Sequence, residues 1–307
     1  MADGCVTVFG RSGFLGRQIV RRLAADGAEV RVAVRNPERA AFLTETRTAG
    51  RIVPVYADVW DEASVTPAVA GADAVINTVG HYIEQGGASF EAIHGHGARH
   101  VARAAARAGV RRLVHISGLG ADPASDSPYV RARGIGERLV KEAFPEATIL
   151  RPSVIFGAEG GVFTRLAALA RILPVLPLFG RGGTKLQPVY VGDVAEAVAQ
   201  VLATPAAAGR VYELGGPRAY TYRALVRLVL EQTNSRRLLL PVPFVACEVL
   251  AALLAVLPSP PVSRDQLTLM RRDNVVTAQA LTLADLGVTP TAVEAIVATY
   301  LGRGRGR

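Results

Sequence analysis

The chain has 307 residues, half of them hydrophobic and a fifth charged, which excludes a disordered chain and allows one large α/β domain with or without a smaller lobe. Its 35 Lys and Arg against 26 Asp and Glu give a formal charge of +9, a surplus that favours anionic partners such as nucleotide phosphates, nucleic acid or acidic lipid headgroups without choosing among them. Two cysteines, Cys5 and Cys247, are too few for a disulfide framework or a metal cage and fit a reducing compartment, and no stretch supplies the roughly eighteen uninterrupted apolar residues of a membrane span.

In the first half, strand-like and helix-like segments alternate with short connections, the pattern of a parallel sheet covered by helices. Cys5 to Phe9 is a short apolar strand. Phe14 to Asp26 follows as a helix, with Leu15, Ile19 and Leu23 on one face and Gly27 placed to end it. Val30 to Val34 and Arg51 to Val55 are the next strands, separated by a helix from Pro37 to Thr48. A helix from Asp61 to Ala70, a strand from Ala74 to Thr78, a long helix from Ala88 to Ala108 and the strand Leu113 to Ile116 continue the pattern. A helix from Tyr129 to Ala143 leads to the strand Thr148 to Leu150.

Beyond Pro152 prolines become frequent and strands stand singly, so the expected organisation is a Rossmann-type doubly wound domain over 1–157 and a smaller α+β lobe over 158–307. Within that lobe about 186–216 is expected to return to the sheet, and the Gly-Arg tail 302–307 to fray. Val189 to Leu202 reads as a strand ending near Val191 and a helix capped by Asp193; Thr221 caps another helix running to about Gln232. The apolar run Leu238 to Leu257 contains Pro241, Pro243 and Glu248, so it does not span a membrane; Phe244 to Leu257 within it forms one short helix that suits the core, a membrane surface or a partner interface.

Gly10-Arg11-Ser12-Gly13-Phe14-Leu15-Gly16 joins the first strand to the first helix. Glycines here serve a tight turn, close approach of backbone to a pyrophosphate, and packing of helix on strand, while the helix amino end offers free N–H groups to the phosphates. The position in the first βαβ unit makes this a dinucleotide loop rather than a bare glycine pattern. At the end of the second strand, where an NAD site carries an acid for the ribose 2′-hydroxyl, the chain reads Val34-Arg35-Asn36, with Arg39 a turn later. Guanidinium groups there, with Arg11 in the loop, clamp a 2′-phosphate that an acid would repel, so NADPH is preferred over NADH.

The G-x-x-G-x-x-G spacing resembles the extended and atypical short-chain dehydrogenase/reductase superfamily, and the stretches RPSVIFG (Arg151 to Gly157) and QPVYVGDVA (Gln187 to Ala195) are similar to it as well. The leucine-rich Phe163 to Phe179 stretch and SRDQLTLMRRDNVV (Ser263 to Val276) narrow the likeness to the NADPH-binding accessory subunits of respiratory complex I and their bacterial homologues, over essentially the whole chain up to about Tyr300. That resemblance implies a tightly held NADPH. It also implies a place on the peripheral arm of complex I near the quinone site, on the matrix side or, in bacteria, the cytoplasmic side, in contact with the anionic membrane surface. It puts Asp58 on the adenine amino group with Val59 beside it. Thr78, Val79 and Gly80 after the fourth strand, and Pro152, Ser153 and Val154 after the sixth, complete the expected cofactor contacts.

In active relatives a Tyr-x-x-x-Lys pair passes a proton, the lysine holding the nicotinamide ribose and lowering the tyrosine pKa. Here the pair is Tyr129 and Arg133, and Ser117, the expected carbonyl-orienting serine, is followed by Gly118-Leu119-Gly120. A guanidinium fork copies an ammonium poorly. The expectation is therefore an accessory, non-catalytic subunit in which these three residues touch the cofactor; the alternative is an NADP(H)-dependent reductase or epimerase acting on a small carbonyl or quinone-related substrate. His94, His96 and His100 lack a cysteine to complete a metal set and read as partly exposed helix residues, so no metal is expected. His81 and Tyr82, at the carboxyl edge of the sheet, suit either a substrate pocket or an ordinary loop. Arg99, Arg103 and Arg107 form a basic stripe without aromatic stacking residues, which argues against nucleic acid and for a solvated face or an acidic partner.

Overall fold

The computed structural model describes residues 4–10, 13–38, 48–81, 84, 89–254 and 264–302. Two compact units emerge: Met1–Pro152 with Val191–Leu214 and Ala278–Thr289, and Ser153–Tyr190 with Gly215–Thr277 and Pro290–Arg307.

The first unit is built on strands β1 (Cys5–Phe9), β2 (Glu29–Val34), β3 (Ile52–Tyr56), β4 (Ala74–Asn77), β5 (Arg112–Ile116) and β6 (Thr148–Pro152). With the strand Val211–Leu214 they form a seven-stranded sheet in the order Val211–Leu214, β6, β5, β4, β1, β2, β3. Every pairing in it is parallel. Both faces are covered, so the strands are near-continuous apolar runs such as Val6 and Val8 or Val75 and Ile76, all buried. The chain runs outward from β1 to β3, then crosses to β4 and continues outward the other way, which puts the topological switch point between β1 and β4.

Helix α1 (Phe14–Ala25) buries Leu15, Ile19 and Leu23 along the stripe its sequence spells, and Gly27 follows its carboxyl end at φ +95°. Helix α2 (Glu62–Val69) is capped by the Asp61 carboxylate, which accepts from the Ala63 N–H. The long helix expected from Ala88 is two elements: a π-helical stretch Glu91–Gly97, then α3 (Ala98–Arg107). Two glycines, Gly95 and Gly97, weaken α-helical geometry there. Helix α4 (Pro128–Ala143) lies against this stretch through Gly136, where a Cβ would sit 1.9 Å from the His94 carbonyl oxygen. The helix Val191–Ala203 also departs from expectation: it starts at Val191, and Asp193 is buried in its first turn rather than standing before it as a cap. The expected helix Pro37 to Thr48 falls mostly outside the described residues.

The second unit has its own core, in which Phe156, Phe163, Leu178, Leu225, Val229 and Val293 are fully buried. Helix Tyr222–Gln232 begins at Thr221, whose hydroxyl accepts from the Ala224 N–H as its sequence position predicts. The apolar run from Leu238 splits at Pro243. Leu238–Val242 is a strand parallel to Val175–Phe179, and Phe244–Leu254 is a helix. That helix buries Cys247 and Ala251 against Leu267 and leaves Val245 and Val249 exposed. No helix among the described residues is long and apolar enough to cross a membrane.

Candidate dinucleotide site

At the switch point the turn after β1 is built for backbone only. Gly10 has φ +89°, and a Cβ on it would come within 2.6 Å of the Thr78 carbonyl carbon, the Thr78 hydroxyl and the Val79 nitrogen. Thr78 fixes that approach, since both its N–H and its hydroxyl donate to the Phe9 carbonyl, at 2.9 and 2.8 Å. Asn77, buried at the end of β4, accepts from the Val79 N–H at 3.1 Å and shapes the following turn. Gly13 precedes α1 in extended conformation and donates its N–H to the Gly10 carbonyl at 3.3 Å. No described side chain caps α1, and no acid stands in its first turn. The N–H groups of Phe14, Leu15 and Gly16 therefore point out of the helix end without intrahelical acceptors, the condition that suits a phosphate. Arg11 and Ser12 lie outside the described residues.

Beyond β2, Arg35 and Asn36 are exposed, and the Arg35 guanidinium makes no ion pair with any described residue. Arg39 lies outside the described residues. After β3, the Asp58 carboxylate accepts from the Trp60 N–H at 3.1 Å; Val59 is buried and its carbonyl receives the His100 Nδ1–H at 2.9 Å.

A second group gathers at the carboxyl ends of β4 and β5. Ser127 caps α4 by accepting from the Val130 N–H, and Pro128 opens the helix, which places Tyr129 in its first turn. Tyr129 is buried, with Phe90 and His94 edge-on to its ring at centroid distances of 5.4 Å. Arg133, one turn on, lays its guanidinium over the Tyr129 ring at 4.9 Å from the centroid, a cation–π contact. The same side chain borders the turns after both strands: a Cβ at Gly80 would lie 3.4 Å from its Nη2, and one at Gly118 would lie 3.5 Å from its Cδ. Its Nε and Nη1 are buried without a hydrogen-bond partner among the described residues, as is the Ser117 hydroxyl.

Two histidines complete this group, and the pattern of residue types alone did not single them out for it. His115 is fully enclosed on β5; burial first, then the Arg133 charge, pushes its pKa down to about 3. His94 is buried too, correcting the expectation of a partly exposed residue. Burial and Arg133 hold its pKa well below the usual value, although its Nε2–H donates to the His81 carbonyl at 3.0 Å. His96 alone of the three is exposed, 4.0 Å from Glu91. His115 stands out as the only ionisable group in the interior of the apolar run RLVHI, a signal visible in the sequence.

The remaining expected contacts fall in different units. Pro152 ends β6 and accepts from the Leu119 N–H at 3.1 Å. In the second unit, the Ser153 hydroxyl donates to the Asn274 side-chain oxygen at 2.6 Å, and the Val154 carbonyl accepts from the Val189 N–H at 3.0 Å. Tyr82 lies outside the described residues.

A parallel sheet with a glycine turn and a helix start at its switch point defines a Rossmann-type dinucleotide-binding fold. Residues 10–205 match the NAD(P)H-binding family. The chain is 35% identical over 296 residues to the mitochondrial NADH dehydrogenase [ubiquinone] 1 alpha subcomplex subunit 9 of Arabidopsis thaliana, covering 92% of this chain and 74% of that one. To the mitochondrial NADH-ubiquinone oxidoreductase 40 kDa subunit of Neurospora crassa it is 33% identical, with 96% and 78% covered. Among solved structures, the NADPH-dependent quinone oxidoreductase of Escherichia coli complexed with NADPH superposes with a TM-score of 0.73 at 23% identity, over 96% of this chain and 99% of that one, a likeness of fold. The chain belongs to the NAD(P)H-binding family, in the branch formed by the subunit 9 proteins of mitochondrial NADH dehydrogenase.

Proposed function

We propose that this chain is an NADP(H)-binding accessory subunit of respiratory complex I, in which the nucleotide is held to stabilise the protein and is not turned over. The observation that carries the nucleotide half of the reading is the cradle at the switch point: Gly10, which only a residue without Cβ can occupy, leads to the uncapped end of α1. These residues fit a pyrophosphate. Gly10, Gly13, Phe14, Leu15 and Gly16 would hold it, with Arg11 and Ser12 in the loop. Arg35, Asn36 and Arg39 would take the 2′-phosphate, and Asp58 and Val59 the adenine. Thr78, Val79, Gly80, Ser117, Tyr129, Arg133 and Pro152 would face the nicotinamide half. When bound, the coenzyme supplies hydride chemistry; the residues here supply position and charge.

The preference for the 2′-phosphate rests on Arg35, exposed and without an ion pair to any described residue where an acid would select NADH. Absence of turnover rests on Arg133. Its guanidinium stands over the Tyr129 ring face, 4.9 Å from the centroid, an arrangement unlike an ammonium reaching the phenol oxygen. The complex I assignment rests on the relatives, whose names are those of complex I subunits. It would put the chain on the peripheral arm near the quinone site, matrix-side or cytoplasm-side, with its positive charge toward an anionic membrane surface.

Mass spectrometry of the untreated protein tests the first half: a stoichiometric NADP(H) is expected, and a nucleotide-free protein that takes up neither coenzyme contradicts it. Calorimetry on Arg35→Glu should show NADPH affinity lower by about tenfold or more, the loss of one hydrogen bond to a charged group, with NADH affinity changed much less. Co-purification with complex I from the native source, and loss of complex stability on deletion, test the second half. The buried Tyr129 and the unpartnered Ser117 hydroxyl favour one other reading, a reductase or epimerase acting on a small carbonyl or quinone-related compound. Oxidation of bound NADPH by members of a carbonyl panel would establish it.

A further inference from the structure

Arg133 borders the turns after β4 and β5 and brings there a positive charge that no described carboxylate pairs with. Arg133 has no ion pair with any described residue, and two of its guanidinium nitrogens are buried without a partner. Gly80 and Gly118 meet it with their backbones, Tyr129 with its ring, and His94 and His115 are enclosed rings that feel its charge; none of these five is negative. In an open parallel sheet the adenosine half of a dinucleotide occupies the strands leading from β1 toward β3, and the other half lies over β4 and β5. Arg133 therefore belongs to the nicotinamide half.

The two oxidation states of the coenzyme share their pyrophosphate, riboses and 2′-phosphate, so every interaction with those groups cancels in a comparison between them. What differs is the ring, which carries a positive charge when oxidised and none when reduced. A desolvated cation beside it opposes the charged form only, and the low local dielectric strengthens that opposition.

We propose that Arg133 makes this site selective for the oxidation state of the coenzyme, so that the reduced dinucleotide binds at least about tenfold more tightly than the oxidised one. This rests on the dinucleotide reading given above. By linkage, tighter binding of the reduced form makes it a weaker reductant: a tenfold ratio raises the potential of the bound two-electron couple by about 30 mV. A nucleotide held this way is kept reduced and is poorly suited to giving up hydride, which is the behaviour a structural coenzyme needs.

The test is calorimetric titration of the full chain, stripped of endogenous nucleotide, with NADPH, NADP+ and 2′-phospho-ADP-ribose, which lacks the nicotinamide. The wild type should favour NADPH over NADP+ by tenfold or more. Arg133→Gln should bring the two within about threefold of each other while 2′-phospho-ADP-ribose binds as before, and Arg133→Lys should retain the preference. Equal affinities in the wild type, or a preference that survives Arg133→Gln, overturn the proposal and leave the dinucleotide site standing. Failure of all three ligands to bind the wild type overturns the dinucleotide reading itself. If Arg133→Gln does not fold, the wild-type ratio and Arg133→Lys still decide: loss of preference in the lysine variant, with its charge kept, counts against a charge effect.

Discussion

Single atoms decide the chemistry of this site. Gly10 is the sharpest case, because a methyl there meets two backbone atoms and the Thr78 hydroxyl at 2.6 Å and the backbone conformation is one that L-residues rarely adopt. Gly10→Ala should cost about 1–3 kcal/mol of stability through strain and displacement, and should abolish NADPH binding in the same titration that detects it in the wild type; unchanged affinity would remove the turn from the site. His115 gives a second residue-level prediction. Its pKa is depressed from the ordinary 6.5 to about 3, burial first and Arg133 second. The unfolded chain therefore binds a proton between those values that the folded chain refuses. The stabilising contribution is complete above pH 6.5 and is lost as pH falls toward 3, by at most about 1.4 kcal/mol per pH unit. Urea unfolding at pH 7 and pH 5 should show His115→Leu losing less stability on acidification than the wild type by roughly 1–2 kcal/mol. Equal losses in both proteins would mean that His115 is accessible to protons in the folded state.

Glycine also governs how elements meet, and the sign of its replacement depends on what lies opposite. A Cβ at Gly136 of α4 would stand 1.9 Å from the His94 carbonyl oxygen, whereas one at Gly95, in the π-helical stretch facing it, finds nothing nearer than the Glu91 Cγ at 3.6 Å. Gly136→Ala should destabilise by about 3 kcal/mol despite the better helix former, and Gly95→Ala should be neutral or stabilising by up to about 1 kcal/mol. Urea midpoints that move the same way in both would show that α4 does not rest on this contact. The contrast also explains what could and could not be read beforehand. The strands and helices of the first unit are legible because each apolar period is local: Leu15, Ile19 and Leu23 stripe one face, and Val6 and Val8 sit in an uninterrupted buried run. The glycine loop is legible for the same reason, since all its parts lie within seven residues. The enclosure of His94 and His115 around Arg133 was not, because β4, β5, α4 and the π-helical stretch create it together from residues up to 39 positions apart, 94 to 133. The place of Asp193 is not legible locally, because an acid near a helix start has the same local pattern whether it caps the end or lies inside the first turn.

At the scale of the whole molecule, the two units differ in the surface each exposes. Among the described residues, seven of the nine large hydrophobic side chains that stand exposed belong to the second unit: Leu169, Ile172, Leu173, Leu238, Leu240, Val245 and Val249. Their placement is regular. Leu238 and Leu240 share one face of a strand whose intervening Leu239 packs on the core, and Val245 and Val249 lie a helical turn apart, away from the buried Cys247 and Ala251. Exposed arginines accompany them at Arg165, Arg171 and Arg236. An apolar set with this periodicity suits a protein partner that covers it, and under the proposed function that partner is a subunit of complex I. The nucleotide cradle lies in the other unit, so the two roles should separate. Leu240→Asp combined with Ile172→Asp should leave NADPH affinity within about twofold of wild type, because both residues belong to the unit that does not carry the glycine turn, while reducing co-migration with complex I on native gels by about a hundredfold, the effect of losing two apolar contacts of roughly 1.5 kcal/mol each. If the double variant still assembles but no longer floats with anionic vesicles, the face serves lipid instead. If it neither loses assembly nor changes vesicle binding, the apolar residues are not a docking surface, and the basic charge alone must account for whatever the chain attaches to.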